Sequence, residues 1–244
     1  MDSNPAETPK SPAPGASAVG VGELLRGDFR EVSDSAVPEL TAFPALVWIV
    51  AGAGLFGAAL GSWRSGSQAM ITATKFPILI LLTTFGNAAL NFMLAAQFGF
   101  RLRWSECLHY FLLAFVIASV CLAAFSPLIL FLVWNLPAPT PRMTTTPPGY
   151  FWLQLIAVIL LAAAGIVGHR RLLQKMSRVI SPSVARRVFW SWLAINLFLG
   201  SQLAWILRPF VGLPSLPVEF FRPHAFSGSF YETLFLAVTD LLKN

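Results

Sequence analysis

The sequence predicts an all-α membrane protein: a bundle of about five transmembrane helices with a polar N-terminal tail and a Pro- and aromatic-rich interfacial C-terminal segment. Three observations predict it. Of the 244 residues, 56% are hydrophobic and only 11% are charged, against about 45–50% and about 25% in an ordinary soluble domain. Long stretches carry no charge, so a soluble fold built from them would lack the charged surface that water requires. Apolar runs recur five times, each near the ~20 residues that cross a hydrocarbon core of about 30 Å.

Residues 1–20 (MDSNPAETPKSPAPGASAVG) are Pro, Ala, Ser and Gly with scattered charge. Such a segment buries too little apolar surface to offset its ordering entropy, and disorder is expected. It also lacks the apolar core of a cleavable secretory signal, which leaves insertion to the first span. Residues 21–42 set Leu24, Leu25, Phe29 and Val32 near helical spacing beside Glu23, Arg26, Asp28, Arg30 and Glu31. That pattern predicts a short amphipathic juxtamembrane segment.

Residues 43–207 form the membrane domain. Spans are expected at 43–63, 76–100, 107–136, 150–168 and 188–207, none of which contains Asp, Glu, Lys or Arg. The third is long enough to tilt, or to bend near Ser126-Pro127, and Ser181-Pro182-Ser183 is expected to break the chain before the fifth. Residues 208–244 hold many prolines and aromatics, then an apolar run too short and too interrupted by Glu232 and Asp240 to span. They read as an interfacial loop followed by a short helix lying on or dipping into the membrane.

Orientation follows from the cations. Lys10, Arg26, Arg30, Arg101, Arg103, Arg170, Arg171, Lys175, Arg178, Arg186 and Arg187 fall on the side of the N-terminus. Only Arg64, Lys75, Arg142, Arg208, Arg222 and Lys243 fall on the other. The positive-inside rule then places the N-terminus in the cytoplasm and the C-terminus outside. Because the net charge of +6 sits in short connections between apolar runs, it orients the chain and gives no reason to expect a nucleic-acid partner.

Small residues recur at four-residue intervals as Ala53, Gly57 and Gly61, as Ala164 and Gly168, and as Gly200 and Ala204. In lipid, where no hydrophobic force drives spans together, such positions let backbones approach closely. Asn87 and Asn91 share a helix face, and Asn196 and Gln202 add amides in the fifth span. They serve either inter-helix hydrogen bonds or the lining of a path. Arg170, Arg171, Lys175 and Arg178 lie opposite Leu172, Leu173, Met176, Val179 and Ile180, a basic amphipathic face suited to anionic lipid at the cytoplasmic leaflet.

Cys107 and Cys121 are too far apart along one helix to form a disulfide with each other and read as small apolar side chains. His109, His169 and His224 are scattered, and no metal-ligand, phosphate-loop or nucleophile motif appears, so neither cofactor nor metal is expected. One polar set, Arg208, Glu219, Arg222, His224 and Glu232, gathers on the expected outer face as a candidate site.

Two blocks carry a resemblance: TKFPILILLTTFGNAALNFMLAAQFG in the second span, and SQLAWILRPFVGLPSLPVEFFRPHAFSGSFYETL after the fifth. Together they resemble a group of uncharacterised bacterial polytopic membrane proteins, over roughly residues 50–240. More loosely, five spans behind a polar tail are similar to the Yip1 family, tied in eukaryotes to membrane traffic and small-GTPase partners. The Asp-Leu-Tyr-Gly-Pro run of that branch is absent, so the resemblance implies no GTPase partner.

The expectation that results is a multi-pass protein of a bacterial cytoplasmic membrane. Its role would be a non-enzymatic, membrane-organising, trafficking-like or assembly one, acting on lipid and on a membrane protein partner or a second copy. A passive transporter or channel subunit is the alternative, and an outward-facing enzyme is a third reading.

Overall fold

The computed structural model describes residues 42–97, 103–137, 139, 148–176, 182–212, 217–222 and 224–232. Within them the chain is helical with no strand, and five helices are long and apolar enough to cross a membrane. They are α1 (Ala42–Gly61), α2 (Gly66–Gln97), α3 (Trp104–Asn135), α4 (Pro148–Met176) and α5 (Pro182–Leu207). Hydrocarbon offers no partner to a backbone N–H or C=O, so apolar runs of this length satisfy those groups within the helix. The tail at 1–20, the 21–42 segment up to residue 41, and the chain beyond residue 232 lie outside the described residues.

At the centre, α1 packs chiefly on α3 and α2, while α4 covers α3 and α5 covers α2. Glycines decide the closeness of α1. A Cβ on Gly57 would sit 2.5 Å from the Thr72 carbonyl oxygen, and one on Gly61 would sit 2.7 Å from that of Gln68. On the other side, a Cβ on Gly52 would strike the Ser119 carbonyl of α3. Backbone therefore touches backbone on two sides of one helix, which maximises dispersion contact where water supplies no driving force. Ile49, Ala53 and Phe56 are fully buried in the same seam.

The helices run past the expected spans, and the charges follow. α2 begins at Gly66, not Phe76, which brings Lys75 into the helix with 0% of its surface exposed. α3 begins at Trp104 and takes in Glu106, whose side chain accepts the Arg103 backbone N–H at 3.0 Å. α4 continues through Arg170 and Arg171, so the basic stretch described as far as Met176 is its last turns, not a separate surface helix. Except for Lys75, these charges lie near helix ends, where long side chains reach the interface. The expectation of charge-free spans is thus corrected: apolar periodicity marks the hydrocarbon-facing middle of each helix and not its ends.

Prolines behave as their positions dictate. Pro182 opens α5, where its missing N–H is one of the donors a helix start leaves unused, so α4 and α5 are separate helices as expected. Pro77 and Pro127 stand inside α2 and α3 without ending them. Pro127 leaves the Ala123 carbonyl without its helical N–H donor, and the neighbouring Ser126 hydroxyl donates to the Leu122 carbonyl at 3.1 Å.

Candidate functional site

The site lies where the α1–α2 turn, the start of α4 and the chain after α5 meet. Ser65 caps α2 by accepting the Gln68 N–H on its hydroxyl at 3.1 Å. Gln68, Thr72 and Lys75 then fall at i, i+4 and i+7, one stripe of the helix, and each is 0% exposed. Buried polar groups need partners. The chain after Leu207 supplies them by folding back along α2.

Thr72 donates its hydroxyl proton to the Phe210 carbonyl at 2.6 Å and Gln68 Nε2 donates to the same oxygen at 3.2 Å. Lys75 Nζ donates to the Pro209 carbonyl at 3.2 Å and lies 5.2 Å from the centre of the Phe220 ring. Pro209 follows Arg208 through a cis peptide bond. The Phe210 ring meets Phe76 at 5.0 Å, and Phe76 meets Phe56 of α1 at 5.3 Å, so an aromatic ladder ties the returning chain to the core. Gly212 adopts φ +80°, and a Cβ there would lie 2.7 Å from Arg64 Nη1 and 3.0 Å from Gln68 Oε1. Only glycine meets both demands.

Cations collect around this strap. Arg64 presses on Gly212 from the α1–α2 turn. Arg208 stacks on the Trp205 ring at 3.4 Å and donates to the Trp205 carbonyl at 2.5 Å. The Arg222 charge acts on Lys75, on Arg208 and on Tyr150 at the start of α4. Burial lowers the pKa of Arg64 and of Arg208, and Arg222 lowers Arg208 further. Both remain charged at neutral pH, because a guanidinium starts so high. Tyr150 in turn faces Trp63, ring centres 6.2 Å apart.

Several polar atoms here are buried with no partner among the described residues: Trp63 Nε1, Trp205 Nε1, Arg222 Nε and Gln68 Oε1. Among the described residues, Lys75, Arg208 and Arg222 pair with no carboxylate. Donors and positive charge thus exceed acceptors at this end of the bundle.

Of the candidate outer-face set, Arg208 and Arg222 come together. Glu219 is half-buried beside Phe220. His224 is exposed at φ +60° in a turn whose carbonyl accepts from Ser227, and Glu232 is exposed with its N–H on the Ser229 hydroxyl at 3.0 Å. The stripe of Gln68, Thr72 and Lys75 was missed by sequence reasoning, although its spacing between Gly61 and Phe76 was there to be read.

The remaining sequence candidates lie elsewhere. Asn87 Nδ2 donates to Asn196 Oδ1 at 2.6 Å, joining α2 to α5, and Asn91 Nδ2 returns to the Asn87 carbonyl at 2.8 Å. Gln202 is half-buried. Ala53, Gly57 and Gly61 are buried in the α1 seam. Ala164 is buried, a Cβ on Gly168 would strike the Ala114 carbonyl of α3, and one on Gly200 would rest 3.8 Å from Thr83. Ala204 is half-buried. Arg170 is exposed and Arg171 donates to Gln174 at 3.4 Å. The Lys175 side chain and Arg178 lie outside the described residues. Cys107 is buried and Cys121 half-buried, both as free thiols, and among the described residues no three His, Cys, Asp or Glu gather to hold a metal.

No family model matches the chain, and no curated protein or solved structure matches it either. The positional evidence for its role is therefore the packing and the polar chemistry of its own residues.

Proposed function

We propose that this chain is a non-enzymatic membrane component that organises or assembles complexes through helix packing and lipid contact. The observation that carries the reading is the uneven burial of the spans. In the apolar 18-residue stretch of α1, of α2 and of α3, 44% of residues are buried inside the protein, against 22% in α4 and 11% in α5. Trp190, Leu197 and Phe198 of α5 are exposed, as are Phe151, Trp152 and Leu155 of α4. A three-helix core with two lightly held flanking helices presents far more apolar surface to its surroundings than its own packing uses. That surface suits lipid together with another membrane protein or a second copy.

The reading includes a bacterial cytoplasmic membrane, an N-terminus in the cytoplasm by the distribution of Lys and Arg, and contact of Arg170, Arg171, Lys175 and Arg178 with anionic lipid. A passive transporter would want its amides free to line a path. Asn87 and Asn196 instead bond to each other, which favours packing.

The test is a photo-crosslinking residue placed at Leu197 in the tagged chain in cells, with mass spectrometry of the products. The expected outcome is a stoichiometric adduct with one membrane protein or with the chain itself. Adducts with lipid alone would contradict an assembly role and direct the work to flux assays in liposomes.

A further inference from the structure

We propose that Lys75, Arg208 and Arg222, with Arg64 beside them, form a binding site for a phosphoryl-type anion at the end of the bundle where the returning chain crosses α2. Nothing in the assembly role requires this site, and the site stands or falls independently of that role.

The argument starts from what Lys75 lacks. Its side chain is fully buried, and among the described residues its partners are the Pro209 carbonyl and the face of the Phe220 ring. An ammonium carries three donors, and among the described residues one carbonyl accepts from it. Removing a charge from water without a counter-charge is unfavourable even after relaxation. A helix that bears this residue one stripe away from the lipid-facing surface retains it at a cost that an anion would offset.

The surroundings repeat the same imbalance. Arg222 acts repulsively on both Lys75 and Arg208. Its Nε is buried with no partner among the described residues, and so are the indole N–H groups of Trp63 and Trp205. Like charges brought together without an acid between them repel. A group with several acceptor oxygens and more than one negative charge answers all of these donors at once, which a single carboxylate does not. Phosphate has that chemistry, and it reaches a membrane protein from two sources: a lipid headgroup at the bilayer edge, or the free ion from water.

Gln68 Oε1, also buried with no partner among the described residues, is the one acceptor among these atoms. It lies against Gly212 and Arg64, so it suits a hydroxyl of a headgroup or a monoprotonated phosphate oxygen.

The experiment uses the full chain purified in a neutral detergent. Its thermal midpoint is followed on adding phosphatidylglycerol, phosphatidylcholine, or inorganic phosphate at constant ionic strength, and native mass spectrometry reads retained lipid. Stabilisation by phosphatidylglycerol over phosphatidylcholine assigns the source as a lipid headgroup, and stabilisation by inorganic phosphate alone assigns the free ion. In either case Arg222→Gln should weaken the effect about tenfold, the scale of one charge-assisted bond, and Arg222→Lys should restore part of it. Arg187→Gln, exposed near the start of α5 and so at the opposite end of that helix from the site, should leave the effect unchanged. Should Arg222→Gln fail to fold, Arg208→Gln replaces it in the same comparison. The proposal is overturned if neither anion stabilises the protein beyond phosphatidylcholine, or if Arg187→Gln weakens the effect as much as Arg222→Gln.

Discussion

Gly57 and Gly165 differ in nothing that composition records, yet the structure separates them. A Cβ on Gly57 meets the Thr72 backbone, whereas one on Gly165 meets nothing within 4 Å. Gly57→Leu is expected to lose about 1–3 kcal/mol by overpacking, read as a lower melting midpoint in detergent. Gly165→Leu should match the native protein or exceed it, since leucine is the better helix former. Equal midpoints for the two variants would remove the close α1–α2 contact from the account. The Asn87–Asn196 bond makes a second residue-level demand. A double-mutant cycle with Asn87→Ala and Asn196→Ala should give a coupling of about 0.6 kcal/mol, and at most about 1.7, the range of such bonds in membrane proteins. No coupling would mean that the two amides do not depend on each other.

Among the elements, the middles of the helices were legible and their ends were not. The apolar runs at 43–63 and 107–136 fall almost wholly on α1 and α3, because an uncharged run of that length has one way to satisfy its backbone in hydrocarbon. The start of α2 escaped because Gln68, Thr72 and Lys75 interrupt the hydropathy, although their own spacing is helical. What keeps them helical is contact with a segment far along the chain, and local pattern does not report long-range partners. The same holds for the outer-face set, where proximity in sequence grouped His224 and Glu232 with Arg208 and Arg222, while the fold brings Lys75 and Arg64 there instead. A prediction at this scale concerns the returning strap. Thr72→Val keeps the shape of the side chain and removes the bond to Phe210. With a loss of ~1 kcal/mol, amide exchange at Phe210–Gly212 should accelerate about fivefold, with α1 unaffected. Unchanged exchange would show that the strap is held without the Thr72 bond, by the Gln68 and Lys75 bonds and the aromatic ladder.

Taken whole, the molecule is a tight core of α1, α2 and α3 with α4 and α5 on its flanks. The strap over one end explains how a chain so apolar keeps a buried lysine: the carbonyls of Pro209 and Phe210 line the stripe on α2. Composition predicted the membrane and the five separate apolar runs predicted the number of helices, because both follow from hydropathy without long-range contacts. The role rests on surfaces and unpaired groups, which depend on how distant segments meet. The claim beneath all of this is the odd number of crossings, and cysteine accessibility tests it most directly. In a Cys107→Ala, Cys121→Ala background, Ser17→Cys and Ser227→Cys are labelled separately with a membrane-impermeant maleimide, before and after permeabilisation. Five crossings predict that one of the two labels in intact cells and the other only after permeabilisation. Labelling of both, or of neither, before permeabilisation would put the two ends on one side of the membrane and contradict the five-span bundle.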